Sequence, residues 1–187
     1  MFRRVLVSVV VIAGIVATSF GAASASTPPG AWASKFCTAL KQWQTTVGAE
    51  STKANAALSK LSDGSLAGIR DEFVTFLTND VAATQRAIRS IKKAGAPSST
   101  NGAKIQSKVL ASFQSASNTF ANAKSSASAL STTDSASFVA DATTIQQKLS
   151  GASDAFSTNF TAVGKLDKNN EVEKGLSQAK ACKFLSG

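Results

Sequence analysis

Four stretches of this chain set apolar residues at alternating steps of three and four, the spacing that keeps one stripe of a helix buried. The first runs from about Ala31 to Leu61 and carries Trp32, Phe36, Leu40, Trp43, Val47, Ala54, Leu58 and Leu61. The second carries Ile69, Phe73, Leu77, Val81, Thr84, Ile88 and Ile91. Ile105, Val109, Phe113, Ala116, Phe120, Ala123, Ala127 and Leu130 make the third, and Phe138, Ala142, Ile145, Leu149, Ala152, Phe156, Phe160 and Val163 the fourth. The fourth stripe is nearly heptad, which predicts shallow packing of neighbouring helices at about 20°.

The breaks between stripes carry the matching signals. Ser62-Asp63-Gly64-Ser65 separates the first two helices, with Ser65 placed to cap the second. Arg86, Arg89, Lys92 and Lys93, then Gly95 and Pro97, give the order of cations, glycine and proline expected at a helix C-terminus. Ser131-Thr132-Thr133-Asp134 divides the third helix from the fourth. Asp167-Lys168-Asn169-Asn170 precedes a shorter fifth helix with Val172, Leu176, Ala179 and Cys182. Short links between long helices favour antiparallel neighbours. The expected fold is therefore all-α: an antiparallel up-down-up-down four-helix bundle, with a short fifth helix returning across its end. A faint period of 40 residues pairs Ile105-Gln106-Ser107-Lys108-Val109 with Ile145-Gln146-Gln147-Lys148-Leu149. Equal helix lengths or a duplicated hairpin both produce such a period, and it does not define a solenoid.

The N-terminus changes the picture from a bundle to an exported bundle. Arg3 and Arg4 precede an apolar run from Val5 to Phe20, and Ala23-Ser24-Ala25 supplies the small residues of a cleavage site. Residues 1–25 are thus expected to be a signal peptide, leaving 26–30 as a flexible lead-in and 31–187 as one helical domain. The apolar run is shorter than the ~20 residues a membrane-spanning helix needs, which argues against an uncleaved anchor. A lipoprotein signal needs a Cys at the cleavage point, and the first Cys is Cys37. Outside the cytoplasm, an even count of two cysteines predicts a disulfide between Cys37 and Cys182. A metal pair or redox pair fits less well, since two isolated Cys without His do not complete a tetrahedral site and no C-x-x-C occurs.

Phe36-Cys37-Thr38-Ala39-Leu40 near the start and Ala181-Cys182-Lys183-Phe184-Leu185 near the end flank a Ser/Ala-rich helical body behind an export signal. In this the chain resembles uncharacterised small secreted helical proteins of actinobacteria. The resemblance implies an exported helical protein and brings no functional residues with it.

Composition removes most catalytic chemistries. The chain has no His and no Tyr, and its one Met is the initiator. Serine is abundant, but no His is present to activate it, and G-x-S-x-G does not occur. No phosphate-binding loop, dinucleotide glycine motif or calcium loop is present. Carboxylate chemistry stays open, with Asp71-Glu72 and Glu171-x-Glu173 as the close pairs. Acids near helix starts also serve the helix dipole, which is the simpler reading of both pairs. No catalytic residues, metal or cofactor are therefore assigned, and the protein is expected not to be an enzyme.

Charge supplies the remaining clue. Beyond residue 25 the chain has 18 basic and 11 acidic residues, net +7. From Val81 to Thr133 it carries Arg86, Arg89, Lys92, Lys93, Lys104, Lys108 and Lys124 and no acid. The first six fall at the end of the second helix and the start of the third, and so at one pole of a hairpin. Lys104 and Lys108 stand where the dipole disfavours cations, so they are not explained by helix stability. The six form a candidate anion-binding pole for anionic wall polymers, lipid headgroups or a protein partner. Specific nucleic-acid binding is not expected, because no aromatic residues interleave these cations to stack bases. A solvated face that keeps the protein soluble is the plain alternative. Two further functions are kept open: a carrier holding an apolar ligand among Phe113, Phe120, Phe138, Phe156 and Phe160, and a carboxylate-based hydrolase.

Overall fold

The computed structural model describes residues 26–58 and 65–185. The expected signal peptide, 1–25, and most of the Ser62–Ser65 break lie outside them. The described residues form helices α1 (Pro29–Leu58), α2 (Leu66–Ala94), α3 (Gly102–Ser128), α4 (Ser135–Leu166) and α5 (Glu171–Gln178), followed by a 3-10 helix at Lys180–Leu185. Cys37 and Cys182 are bonded, with their Cα atoms 5.1 Å apart. The all-α class and the disulfide between the chain ends agree with the sequence pattern.

Each boundary has a local cause. The Ser65 hydroxyl accepts the Gly68 N–H at 3.3 Å and starts α2. At its far end Gly95 takes φ 75°, a backbone conformation that favours glycine, and donates its N–H to the Lys92 carbonyl. Asp134 starts α4 by accepting the Ala136 N–H at 3.0 Å and the Ser137 hydroxyl at 2.7 Å. These bonds, the Ser137 hydroxyl foremost, hold its carboxyl below the usual range. Asp167 accepts the Glu171 and Glu173 N–H groups at 3.1 and 2.9 Å and so fixes the start of α5.

The structure differs from the sequence pattern in four places. Residues 26–30, expected as a flexible lead-in, are tied to the α2–α3 link. The Thr27 N–H donates to Ala96 O, its hydroxyl donates to Ala94 O, and its carbonyl accepts from Ser98 N, while α1 already begins at Pro29. The expected fifth helix breaks at Ala179, which is extended at φ −73° and ψ 118°, so Cys182 sits in the 3-10 helix. The Asp71-Glu72 pair lies past the first turn of α2, and Asp71 pairs with Arg70 at 2.8 Å. Most telling, the buried stripe of α2 runs through Leu77, Asp80, Ala83, Thr84, Ala87, Ile88, Ile91 and Ala94, while Val81 is only half-buried. A carboxylate lies inside where an apolar residue was expected.

Two apolar clusters form the interior. The first joins Trp32, Phe36, Cys37 and Leu40 of α1 to Ile88 and Ile91 of α2, Ile105, Val109 and Phe113 of α3, Val163 of α4, Val172 and Cys182. Trp32 stacks on Phe36 with ring centroids 5.1 Å apart, and Trp43 meets Phe113 edge-on at 5.3 Å. The second comprises Leu77, Ala123, Ala127, Leu130, Phe138 and Ile145, and its half-buried neighbours also belong to α2, α3 and α4. Gly175 of α5 faces the start of α1, where a Cβ would come within 2.8 Å of the Pro29 carbonyl. Only glycine allows that approach.

Candidate functional site

The outer face of α1 borders a chain of hollows. One of about 180 Å³ lies between α1 and α2 and is lined by Trp43, Thr46, Ala83 and Arg86. A second, of about 360 Å³, continues toward the end of α2 past Lys35 and Lys93. A third, of about 480 Å³, lies on the other side of α1, between it and the 3-10 helix, and is lined by Lys41, Lys180, Lys183 and Phe184. Gln42 lines all three, so they form one trough around α1. Its lining contains six cations and no acid.

The six cations expected to act together are exposed but are not gathered into one hollow. Arg86 and Lys93 line the α1 trough. Lys104 and Lys108 line a separate hollow of about 350 Å³ with Leu166 of α4. Arg89 and Lys92 are exposed on α2. The structure instead joins Arg86 and Lys93 with Lys35, Lys41, Lys180 and Lys183, four residues the charge count passed over. A signal for them exists in the sequence. From Ser26 to Ala49, and again from Lys174 to Gly187, the chain has lysines and no acid. Averaging over the rest of the chain hides both stretches, and the disulfide brings them together.

Four of the expected apolar-ligand residues pack within or against the two clusters. Phe113 and Phe138 are buried, one in each cluster. Phe160 packs beside Phe36 with ring centroids 5.8 Å apart, and Phe120 lies against the second cluster. The side chain of Phe156 lies outside the described ones. Of the acids, Glu171 and Glu173 occupy the first turn of α5. Among the described residues, no group of three or more His, Cys, Asp or Glu is placed to hold a metal ion.

A polar layer separates the two clusters. Asp80 and Thr84 of α2 and Ser112 and Ser117 of α3 are buried there. The Trp43 indole N–H donates to the Thr84 hydroxyl at 3.0 Å, and that hydroxyl donates to the Asp80 carbonyl at 2.7 Å. Asp80 is fully buried, and neither of its carboxyl oxygens has a hydrogen-bond partner. Burial, reinforced by the Glu50 charge, pushes its carboxyl up to about 7. Glu50 accepts from Lys53 and from Asn79 of α2, both at 2.7 Å, and these bonds hold its carboxyl below the usual range. Higher in the first cluster, Gln106 accepts the Trp32 indole N–H at 3.0 Å and donates to the Ile91 carbonyl at 2.8 Å. Periodicity placed Trp32, Trp43 and Thr84 on their stripes, but it could not pick out Asp80, Gln106, Ser112 or Ser117, the polar exceptions within them.

No described helix is long and apolar enough to cross a membrane. No protein-family model, no curated protein and no solved structure matches this chain. Its function has to be argued from its own residues.

Proposed function

We propose that this protein is an exported, non-catalytic binding module that engages anionic polymers through the cationic surface at its disulfide-joined end. The proposal includes a signal peptide at 1–25 and a single domain over 31–187, in keeping with the small secreted helical proteins of actinobacteria that the chain resembles. It also includes an antiparallel up-down-up-down order of α1 to α4. Contacts support that order: from Trp43 to Glu50 along α1, the partners on α2 step back from Thr84 to Asn79. Likewise Ile91 meets Gln106, while the earlier Gln85 meets Ser117.

One observation carries the functional reading. The acid-free stretches 26–49 and 174–185 and the cation-rich end of α2 meet around the Cys37–Cys182 bond. No ion pair among the described residues engages Lys35, Lys41, Lys93 or Lys180. Their field is therefore directed at solvent, where it attracts polyanions. The test is binding to isolated anionic envelope polymer over a range of salt. Binding should be firm at low salt and fall steeply past roughly 0.15 M, where the Debye length is about 8 Å. No binding at low salt would overturn the reading.

A further inference from the structure

The proposed function leaves open which cations make the site, and the geometry points to the trough around α1. Resting on that reading, we propose that the trough lined by Lys35, Lys41, Arg86, Lys93, Lys180 and Lys183 is a seat for one linear, phosphate-bearing polyanion. Three features select this occupant. The lining holds cations on both sides of α1 and no acid, so a negatively charged chain meets attraction along its whole path. The three hollows are concave and adjoin across α1, which suits a flexible chain that can follow them better than the flat face of a bilayer. Gln42 lies at the junction of the three hollows, and its carboxamide has no partner among the described residues, leaving it able to donate to a phosphate oxygen. The disulfide contributes directly. It pins the 3-10 helix beside α1 and so sets Lys180 and Lys183 across from Lys41.

Lys104 and Lys108 provide the internal control, because they stand in a separate hollow against Leu166. The experiment measures binding of long-chain inorganic polyphosphate to the oxidised, signal-free protein and to two charge-reversed variants. One is Lys41→Glu with Lys180→Glu, and the other is Lys104→Glu with Lys108→Glu. All four residues are exposed, and both variants change net charge equally. Circular dichroism and intact mass confirm that each variant is folded and disulfide-bonded. The trough variant should bind at least about tenfold more weakly, and its log–log salt slope should fall by about 1.4, at about 0.7 per lost contact with a flexible polyanion. The control variant should bind nearly as well as the unmodified protein.

The opposite pattern, with only the Lys104/Lys108 variant weakened, would overturn the trough while keeping polyanion binding. Equal weakening of both would mean that net charge, not the trough, governs binding. Preference for phosphatidylglycerol vesicles over polyphosphate would replace the polymer with a membrane surface. No binding to either probe would overturn the trough and the proposed function together.

Discussion

Among the described residues, sixteen buried apolar side chains from all five α-helices and the 3-10 helix share one cluster at the stapled end; at the other end, six from α2, α3, the α3–α4 link and α4 make up the second. The difference lies largely in α1. Its first half buries Trp32, Ala33, Phe36, Cys37, Ala39 and Leu40, whereas beyond Trp43 none of its described residues is fully buried. The second half of α1 is held to α2 by polar contacts such as Glu50 with Asn79. Covalent closure, both tryptophans and the cationic trough therefore coincide at one end.

The largest effect should come from the bond itself. Replacing both Cys37 and Cys182 with Ser releases a sequence separation of 145 residues. That should cost up to about 5 kcal/mol by chain entropy, measured by urea unfolding. Hydrogen exchange should show the loss concentrated in the first half of α1 and in α5. Uniform loss of protection along α2, α3 and α4 would mean that the two ends unfold as one unit.

Packing separates the two clusters next. Phe113→Ala, at the stapled end, should cost about 3–5 kcal/mol, because the ring is wholly enclosed and Trp43 loses its edge-on partner. Phe138→Ala should fall at or below the bottom of that range, because the smaller cluster can collapse into the space. Equal costs would show that the second cluster is packed as tightly as the first.

The polar layer between them makes stability depend on pH. Asp80 is raised from 3.8 to about 7 in the folded state, so folding favours its protonated form. Its contribution is fully present below about pH 4 and is lost as pH rises through 7. Asp80→Asn should therefore stabilise the protein at pH 8 by about 2–4 kcal/mol, at 1.36 kcal/mol per pK unit, and change little at pH 4. Thermal unfolding of both proteins across that range checks the sign. Parallel curves would mean that the carboxyl reaches water or a cation. The smallest effect expected is that of Ser65→Ala, about 0.5–1 kcal/mol, because one exposed cap at the start of α2 is lost.

The sequence by itself determined the long helices, the Ser65 and Gly95 ends of α2, and the disulfide. Those features depend on local physics: a repeat of three and four residues, a hydroxyl before a helix, a glycine after one, and two cysteines beyond the expected export signal. The stripe of α3 was legible for the same reason, with Ile105, Val109, Phe113, Ala123 and Ala127 all buried as their spacing requires. Tertiary structure alone decided what surrounds each stripe. It buried Asp80 and left Val81 half-exposed, because the rotation of α2 is set by its neighbours on both sides and not by its own moment. It broke the last helix at Ala179 so that Cys182 could reach Cys37. It also set Lys104 and Lys108 in a hollow beside Leu166, separate from those that Arg86 and Lys93 line. Lys180 and Lys183, far from Lys41 in sequence, came to face it instead. Charge acts through space, and the distances that govern it are fixed only when the helices pack.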